Sequence, residues 1–331
     1  MLTNSSTLYT EQGYLNFGSV DSRGAVFNFL IGGRGTGKTY GCLQYTLETE
    51  KKFLFLRRNQ TQIDIISRPE FNPFKPIDPD IEIEKLTKYH SAFTAEEKII
   101  GYAAALSTIS KIRGFDASDI EVIIFDEFIP EPHEHLVKNE GLALLNAYET
   151  VNRNRELAGA DPVRLFCLAN SNNFDSDILS SFGLYPMIDK ASRTGREVIH
   201  DKRRSVLLVL LNDSKISERK KQTALYKATA SDEFLNMSIG NQFDTGGANV
   251  HSMNLTGLRL IGRVYDLGIY ITDTGFYIRK SAETAPHNYD NKKALKKFRT
   301  EFRGLFIAEM NGRVTFENLW ALSRWRQLTE L

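Results

Sequence analysis

Residues 32–39 read Gly-Gly-Arg-Gly-Thr-Gly-Lys-Thr, between an apolar run at 27–31 (Phe-Asn-Phe-Leu-Ile) and a helix-compatible Tyr-Gly-Cys-Leu at 40–43. A strand, a glycine loop and a helix start in that order form the context of a phosphate-binding loop. Few folds accommodate one, because the loop must leave the carboxyl end of a buried strand and enter a helix whose N-terminus faces an anion. Gly32, Gly33, Gly35 and Gly37 let backbone N–H groups approach phosphate oxygens, since they lack a Cβ and tolerate positive φ. Arg34 and Thr36 complete the loop, Lys38 is spaced to reach the β- and γ-phosphates, and Thr39 to hold Mg²⁺. A glycine-rich surface turn would not follow so apolar a run.

Three further runs have the character of strands buried on both faces: Phe-Leu-Phe-Leu at 53–56, Glu-Val-Ile-Ile-Phe at 121–125 and Arg-Leu-Phe-Cys-Leu-Ala at 164–169. They end in Arg57 and Arg58, in Asp126 and Glu127, and in Asn170. Continuous apolar strands separated by helical patterns predict an α/β domain with a parallel sheet and ligands at the carboxyl ends of its strands. Asp126 is expected to accept Mg²⁺ through water, Glu127 to orient or deprotonate an attacking water, and Asn170 to sense the γ-phosphate or that water. A helix is expected over 140–156 with Leu142, Leu145, Tyr148 and Val151 on one side and Arg153 and Arg155 at its end. The arginines suit either a helix C-terminus or the transition-state charge of phosphoryl transfer.

The chain has 331 residues, 41% of them hydrophobic, enough for ordinary packed cores and a soft prior for two domains. No stretch approaches the roughly 20 apolar residues that cross a bilayer, and the start lacks a signal-peptide pattern, so no membrane and a cytoplasmic setting are expected. Cys42 and Cys167 fall in segments read as buried helix and strand, as small apolar residues of a reducing compartment. His133 and His135, in a Pro-flanked loop, make a weak metal pair. A net charge of +1 conceals a basic stretch over 190–221 and a second at Lys292, Lys293, Lys296, Lys297, Arg299 and Arg303. Each suits a solvated helix face, and together they suit a polyanionic partner. Beyond Lys221 the pattern turns to alternating strands at 258–265, 268–272 and 276–278. The expected division is an ATPase domain at 1–190, a basic linker at 191–228 and a C-terminal domain at 229–331.

With these residues the chain resembles the DNA encapsidation ATPases of small tailed phages of the picovirus type, whose genomes are protein-primed. The matching stretches are 31–40, 55–58, 123–129, 144–146, Val-Asn-Arg-Asn-Arg-Glu at 151–156, 167–170 and Met-Ser-Ile-Gly-Asn-Gln-Phe at 237–243, in the family's order. The resemblance implies a P-loop NTPase of the additional-strand catalytic-glutamate class, with a RecA/FtsK-like parallel sheet. It also implies a small C-terminal α+β domain like a degenerate RNase H-like nuclease. The implied function is an ATP- and Mg²⁺-dependent motor that moves double-stranded genomic DNA into a procapsid. Its implied partners are the portal, further copies in a homo-oligomeric ring (a pentamer) and, in some members, a structural packaging RNA.

Carried over residue by residue, the family's P-loop lysine falls on Lys38, its Mg²⁺ aspartate on Asp126, its catalytic glutamate on Glu127 and its trans-acting arginine on Arg153. Arg57, Arg58, Lys111 and Arg113 are the candidate DNA contacts, while the family's basic residue is absent at Gln60. The carboxylates nearest to a nuclease set, Asp266, Asp273, Glu283 and Asp290, do not read as a converging two-metal site, so nuclease activity is not expected. Docking through the basic run at 292–299 is expected instead. A small-molecule kinase, an assembly protein with a silent nucleotide site, and another P-loop translocase or helicase remain as alternatives. A GTPase is disfavoured, because Asn-Lys-Lys-Ala at 291–294 lacks the aspartate that reads guanine.

Overall fold

The computed structural model describes residues 7–112, 117–130, 134, 137, 139–170, 176–212, 214–228 and 248–329. They divide into two compact units, the first holding everything up to residue 228 and the second holding 248–329.

The first unit is built on nine strands: β1 (Phe27–Gly32), β2 (Phe53–Arg57), β3 (Glu82–Lys85), β4 (His90–Ala95), β5 (Lys98–Ala105), β6 (Val122–Asp126), β7 (Arg164–Ala169), β8 (Val198–Asp201) and β9 (Val206–Leu211). They form one sheet in the order β3-β4-β5-β2-β6-β7-β1-β9-β8. The strands from β5 to β9 in that order are all parallel, and β3, β4 and β8 run antiparallel at the edges. The continuous apolar runs predicted this centre: β6 and β9 are buried along their whole length, and β1, β2 and β7 are buried except at one end. Burial on both faces leaves no room for polar alternation, so polar groups collect at the strand ends. The register aligns those ends. Ile31 lies opposite Ala169, Asp126 opposite Leu168 and Leu56 opposite Phe125. β7 therefore stands between the P-loop strand and the strand that ends in Asp126.

Three sequence expectations are corrected here. The helix begins at Glu140 but stops at Asn152, with Arg153 as its C-cap; 153–155 form a turn and Glu156 starts a separate 3-10 helix, Glu156–Ala158. Its buried face is Leu144, Ala147, Tyr148 and Val151, while Leu142 is 54% and Leu145 37% exposed. The predicted stripe was rotated because Gly141 sits against the helix Asp177–Ser181, where a Cβ would meet Ser181 Oγ at 2.0 Å. Finally, 191–228 is no linker. It supplies β8 and β9, and β9 pairs with β1 along its whole length. The basic residues Lys202 and Arg203 lie exposed in the tight turn of that hairpin, which hid an apolar strand inside a charged stretch.

The second unit has a six-stranded sheet in the order β10-β15-β13-β12-β11-β14, from β10 (Asn249–Val250), β11 (Arg259–Val264), β12 (Leu267–Ile271), β13 (Phe276–Lys280), β14 (Asn288–Tyr289) and β15 (Val314–Phe316). β11, β12 and β13 form the expected antiparallel meander, and β14 runs parallel beside β11. Helices Lys292–Glu301, Arg303–Met310 and Leu319–Thr329 contribute to a core centred on Phe298, Phe316 and the fully buried Trp325. Trp325 keeps its indole N–H satisfied on Glu309 at 2.8 Å.

Candidate active site

The loop after β1 is shaped by its glycines in two ways. Gly35 (φ +73°) and Gly37 (φ +86°) adopt the left-handed conformation that side chains resist. Gly32 is required for closeness, since a Cβ there would lie 2.6 Å from Leu211 Cβ on β9. Thr36 Oγ1 donates to the Gly33 carbonyl at 2.9 Å and helps to close the loop. The helix Lys38–Glu48 then points its N-terminus into the cradle, where its dipole favours an anion.

Lys38 is buried within the loop. Its Nζ donates to the carbonyls of Gly32 (2.8 Å) and Gly33 (2.9 Å), to Thr36 Oγ1 (3.2 Å) and to Asn170 Oδ1 (3.4 Å). Burial drives its pKa down to about 7, against the pull of Asp126 and with a push from Lys220. Thr39 Oγ1 donates to Asp126 Oδ1 at 3.0 Å, so the hydroxyl and carboxylate expected to share Mg²⁺ already meet. One hydroxyl and one carboxylate of hard oxygen suit Mg²⁺, which keeps waters and phosphate oxygens for its other positions. Glu127, the next residue, carries a left-handed backbone (φ +59°) that turns the chain sharply at the strand tip.

Arg57 and Arg58, the candidate DNA contacts, are drawn inward by carboxylates. Leu56 pairs with Phe125, so Arg57 follows onto the tip beside Asp126. Its guanidinium bridges Asp126 Oδ2 (2.9 Å) and the Glu127 carboxylate, with only 15% of the side chain exposed. Arg58 is completely buried. It pairs with Glu134 and Glu140, both at 2.6 Å, and Nη2 donates to the carbonyls of Glu127 (3.0 Å) and Phe128 (2.9 Å). These two side chains fix the acidic strand tip from either side. Strand adjacency, which the sequence does not state, is the signal that would have found them.

Arg153 lies elsewhere. Asn152 accepts from the Val163 amide at 2.8 Å and Tyr148 donates to the Val163 carbonyl at 2.9 Å, just before β7 begins. Arg155 donates to the Ser118 carbonyl, ahead of β6. Arg153 is thus at the amino edge of the sheet, exposed and in a positive-φ conformation (φ +49°). The length of β7, about 20 Å at roughly 3.3 Å per residue, separates it from Asn170 and the P-loop. The side chain of Lys111, all of Arg113, His133 and His135, and the stretch 237–243 lie outside the described residues.

A cavity of about 1090 Å³ opens over Lys38, Thr39, Asp126, Glu127 and Asn170. Part of its wall is the N-terminal segment, including Gln12, Tyr14 and Asn16, which no motif had marked. That segment is tied to the P-loop by the Leu15 amide donating to the Thr36 carbonyl at 2.8 Å. Cys42 and Cys167 are free and buried, and burial raises both thiols well above their ordinary range.

In the second unit a hollow of about 530 Å³ is lined by Asp266, Asp290, Arg263 and Arg324 among others. Each acid is paired, Asp266 with Arg324 at 2.9 Å and Asp290 with Arg263 at 3.0 Å. Among the described residues no cluster of three or more His, Cys, Asp and Glu is placed to hold a metal.

Comparison with known proteins agrees with this architecture. A family model described as podovirus DNA encapsidation protein (Gp16) matches residues 10–254. The DNA packaging proteins of Bacillus phages phi29 and PZA are each 28% identical over 223 residues, covering 66% of this chain. The chain spans 62% of the length of these curated relatives. Among solved structures, the bacteriophage phi-29 viral genome packaging motor assembly superposes with a TM-score of 0.65 at 22% identity, covering 96% of this chain and 99% of that one. The phi-28 gp11 DNA packaging motor gives 0.62 at 17% identity, covering 95% and 96%. At these identities the structural likeness is one of fold.

Proposed function

The chain belongs to the podovirus DNA encapsidation protein family, and from that premise we propose that it is an ATP-hydrolysing motor subunit that drives double-stranded viral DNA into a procapsid. The observation that carries the ATPase reading is the contact of Thr39 with Asp126 at 3.0 Å beside a nested Lys38. β7, inserted between β1 and β6, is the extra strand of the additional-strand catalytic-glutamate class. In this reading Lys38 and the loop amides bind the phosphate chain, and Thr39 and Asp126 hold Mg²⁺. A bound Mg²⁺ neutralises charge on the β- and γ-phosphate oxygens. Glu127 aligns and deprotonates the attacking water, and Asn170, already on Lys38 Nζ, senses the terminal phosphate.

Arg153 acts in trans. What supports this is its position at the sheet edge opposite its own P-loop, too far for one side chain to span. An arginine supplied to a neighbour's site contributes about 10³ to 10⁵ in rate. A homo-oligomeric ring, five-membered as in the family resemblance, follows from that need. The ring works at the portal vertex, in the host cytoplasm, and some relatives add a packaging RNA. In the second unit the meander with a parallel fourth strand supports a degenerate RNase H-like fold. The arginine pairing of Asp266 and Asp290 supports docking over cleavage. Lys292, Lys293 and Lys296 are exposed for that docking, while Lys297 pairs with Glu301 and Arg299 with the Thr329 carbonyl.

The test is steady-state ATP hydrolysis by the purified protein, alone, with double-stranded DNA and with procapsids. Hydrolysis should rise with DNA or procapsids and vanish in Glu127→Gln. Turnover indifferent to both would sink the motor reading. Mixing Lys38→Ala with Arg153→Ala subunits should recover activity, and no recovery in mixed rings would count against action in trans.

A further inference from the structure

Lys220 is one of three consecutive basic residues, Arg219, Lys220 and Lys221, in the helix Lys215–Lys221. In the sequence it merges with the solvated charges of the 190–221 stretch. The fold separates it from them. β9 is the parallel neighbour of β1, and Gly32 pairs with Leu211, so the chain leaving β9 emerges beside the P-loop. Ser214 anchors the next turn by donating to the Gly13 carbonyl at 2.6 Å. The helix then carries Lys220 over the loop, where its ammonium donates to the Arg34 carbonyl. A Cβ on Gly35 would lie 2.7 Å from Lys220 Nζ and 3.2 Å from Cε.

Lys220, Arg34 and Lys38 therefore converge on one small loop. The charge of Lys220 helps to lower the pKa of Lys38, after burial. Lys220 is itself less basic than an ordinary lysine, through burial first and then Arg34. Like charges gathered at a partly desolvated site are costly unless a polyanion joins them. In a P-loop the α- and β-phosphates belong to the amides at the helix start. A cation held over the opposite end of the loop, at Arg34 and Gly35, meets the terminal phosphate instead.

We propose that Lys220 is a second phosphate-binding lysine, which leaves the Arg34 carbonyl to ligate the terminal phosphate of the bound nucleoside triphosphate. The assignment rests on the nucleotide site proposed above and adds a residue to it.

The experiment measures Mg-ATP and Mg-ADP affinity by calorimetry on the full chain, in a Glu127→Gln background that prevents turnover. Lys220→Gln should weaken ATP binding about tenfold, the scale of one charge-assisted hydrogen bond, and ADP binding less than about twofold. Lys220→Arg should keep most of the preference for ATP. An equal loss for both nucleotides, or no loss for either, would overturn the assignment. A parent chain that binds neither nucleotide would remove the site itself and Lys220's role with it.

Discussion

Replacing Arg58 with Met keeps the length of the side chain and removes its charge from a fully buried position. The loss strands the Glu140 carboxylate, itself only 2% exposed, and leaves the carbonyls of Glu127 and Phe128 without their donor. Glu134 lies nearer solvent and is spared most of the cost. Breaking a buried pair from one side costs about 3–5 kcal/mol. At roughly 2–4 °C per kcal/mol for a unit of this size, the melting temperature should fall by about 6–20 °C.

The pH dependence has a definite sign. Burial already holds the Glu140 pKa above its ordinary value, with Arg58 pulling it down. Without Arg58 it rises further, so the folded state binds more protons than the unfolded state above the unfolded pKa. Stability must then fall as pH rises from that value through the folded pKa. Thermal melts followed by circular dichroism should show a larger defect at pH 8 than at pH 5, and adding Glu140→Gln should return part of the loss at pH 8. A variant that melts within about 2 °C of the parent at pH 8, or whose defect does not change with pH, would refute the reasoning. Hydrolysis should suffer more than nucleotide affinity, because Arg58 holds the backbone that aims Glu127.

Arg57→Gln should lower hydrolysis about tenfold or more while leaving the salt slope of DNA binding unchanged; a slope reduced by about one would restore Arg57 as a phosphate contact. Lys38, with a pKa near 7 in the free site, is mostly neutral at pH 8 and must be charged when it holds a triphosphate. ATP binding should therefore take up close to one proton at pH 8 and weaken as pH rises above about 7, read by calorimetry in two buffers of different ionisation enthalpy; an affinity flat from pH 7.5 to 8.5 would contradict this. Supercoiled DNA incubated with the protein and Mn²⁺ should remain intact. Cleavage that disappears in Asp266→Asn would show that the arginine pairing does not silence the hollow in the second unit.

Some of this was written locally in the chain. The loop at 32–39, the apolar strands and the acids at Asp126 and Glu127 are short-range patterns. Glycine permissiveness, the twofold burial of a parallel strand and the start of a helix each act within a few residues, so spacing alone fixed them. The meander of the second unit was equally local, because its strands follow one another through tight turns.

Tertiary structure decided whatever depended on which strands became neighbours. Parallel partners are distant in sequence: β2 meets β6 some 70 residues on, and β1 meets both β7 and β9 far beyond. Register, not spacing, drew Arg57, a candidate DNA contact, to the acids at the β6 tip and buried Arg58 beneath it. The pairing of β9 with β1 turned an expected linker into sheet and swung Lys220 onto the P-loop. The direction of the helix Glu140–Asn152 carried Arg153 to the edge opposite its own site. A motif specifies conformation through local sterics, whereas these placements come from long-range burial, which one-dimensional spacing does not record.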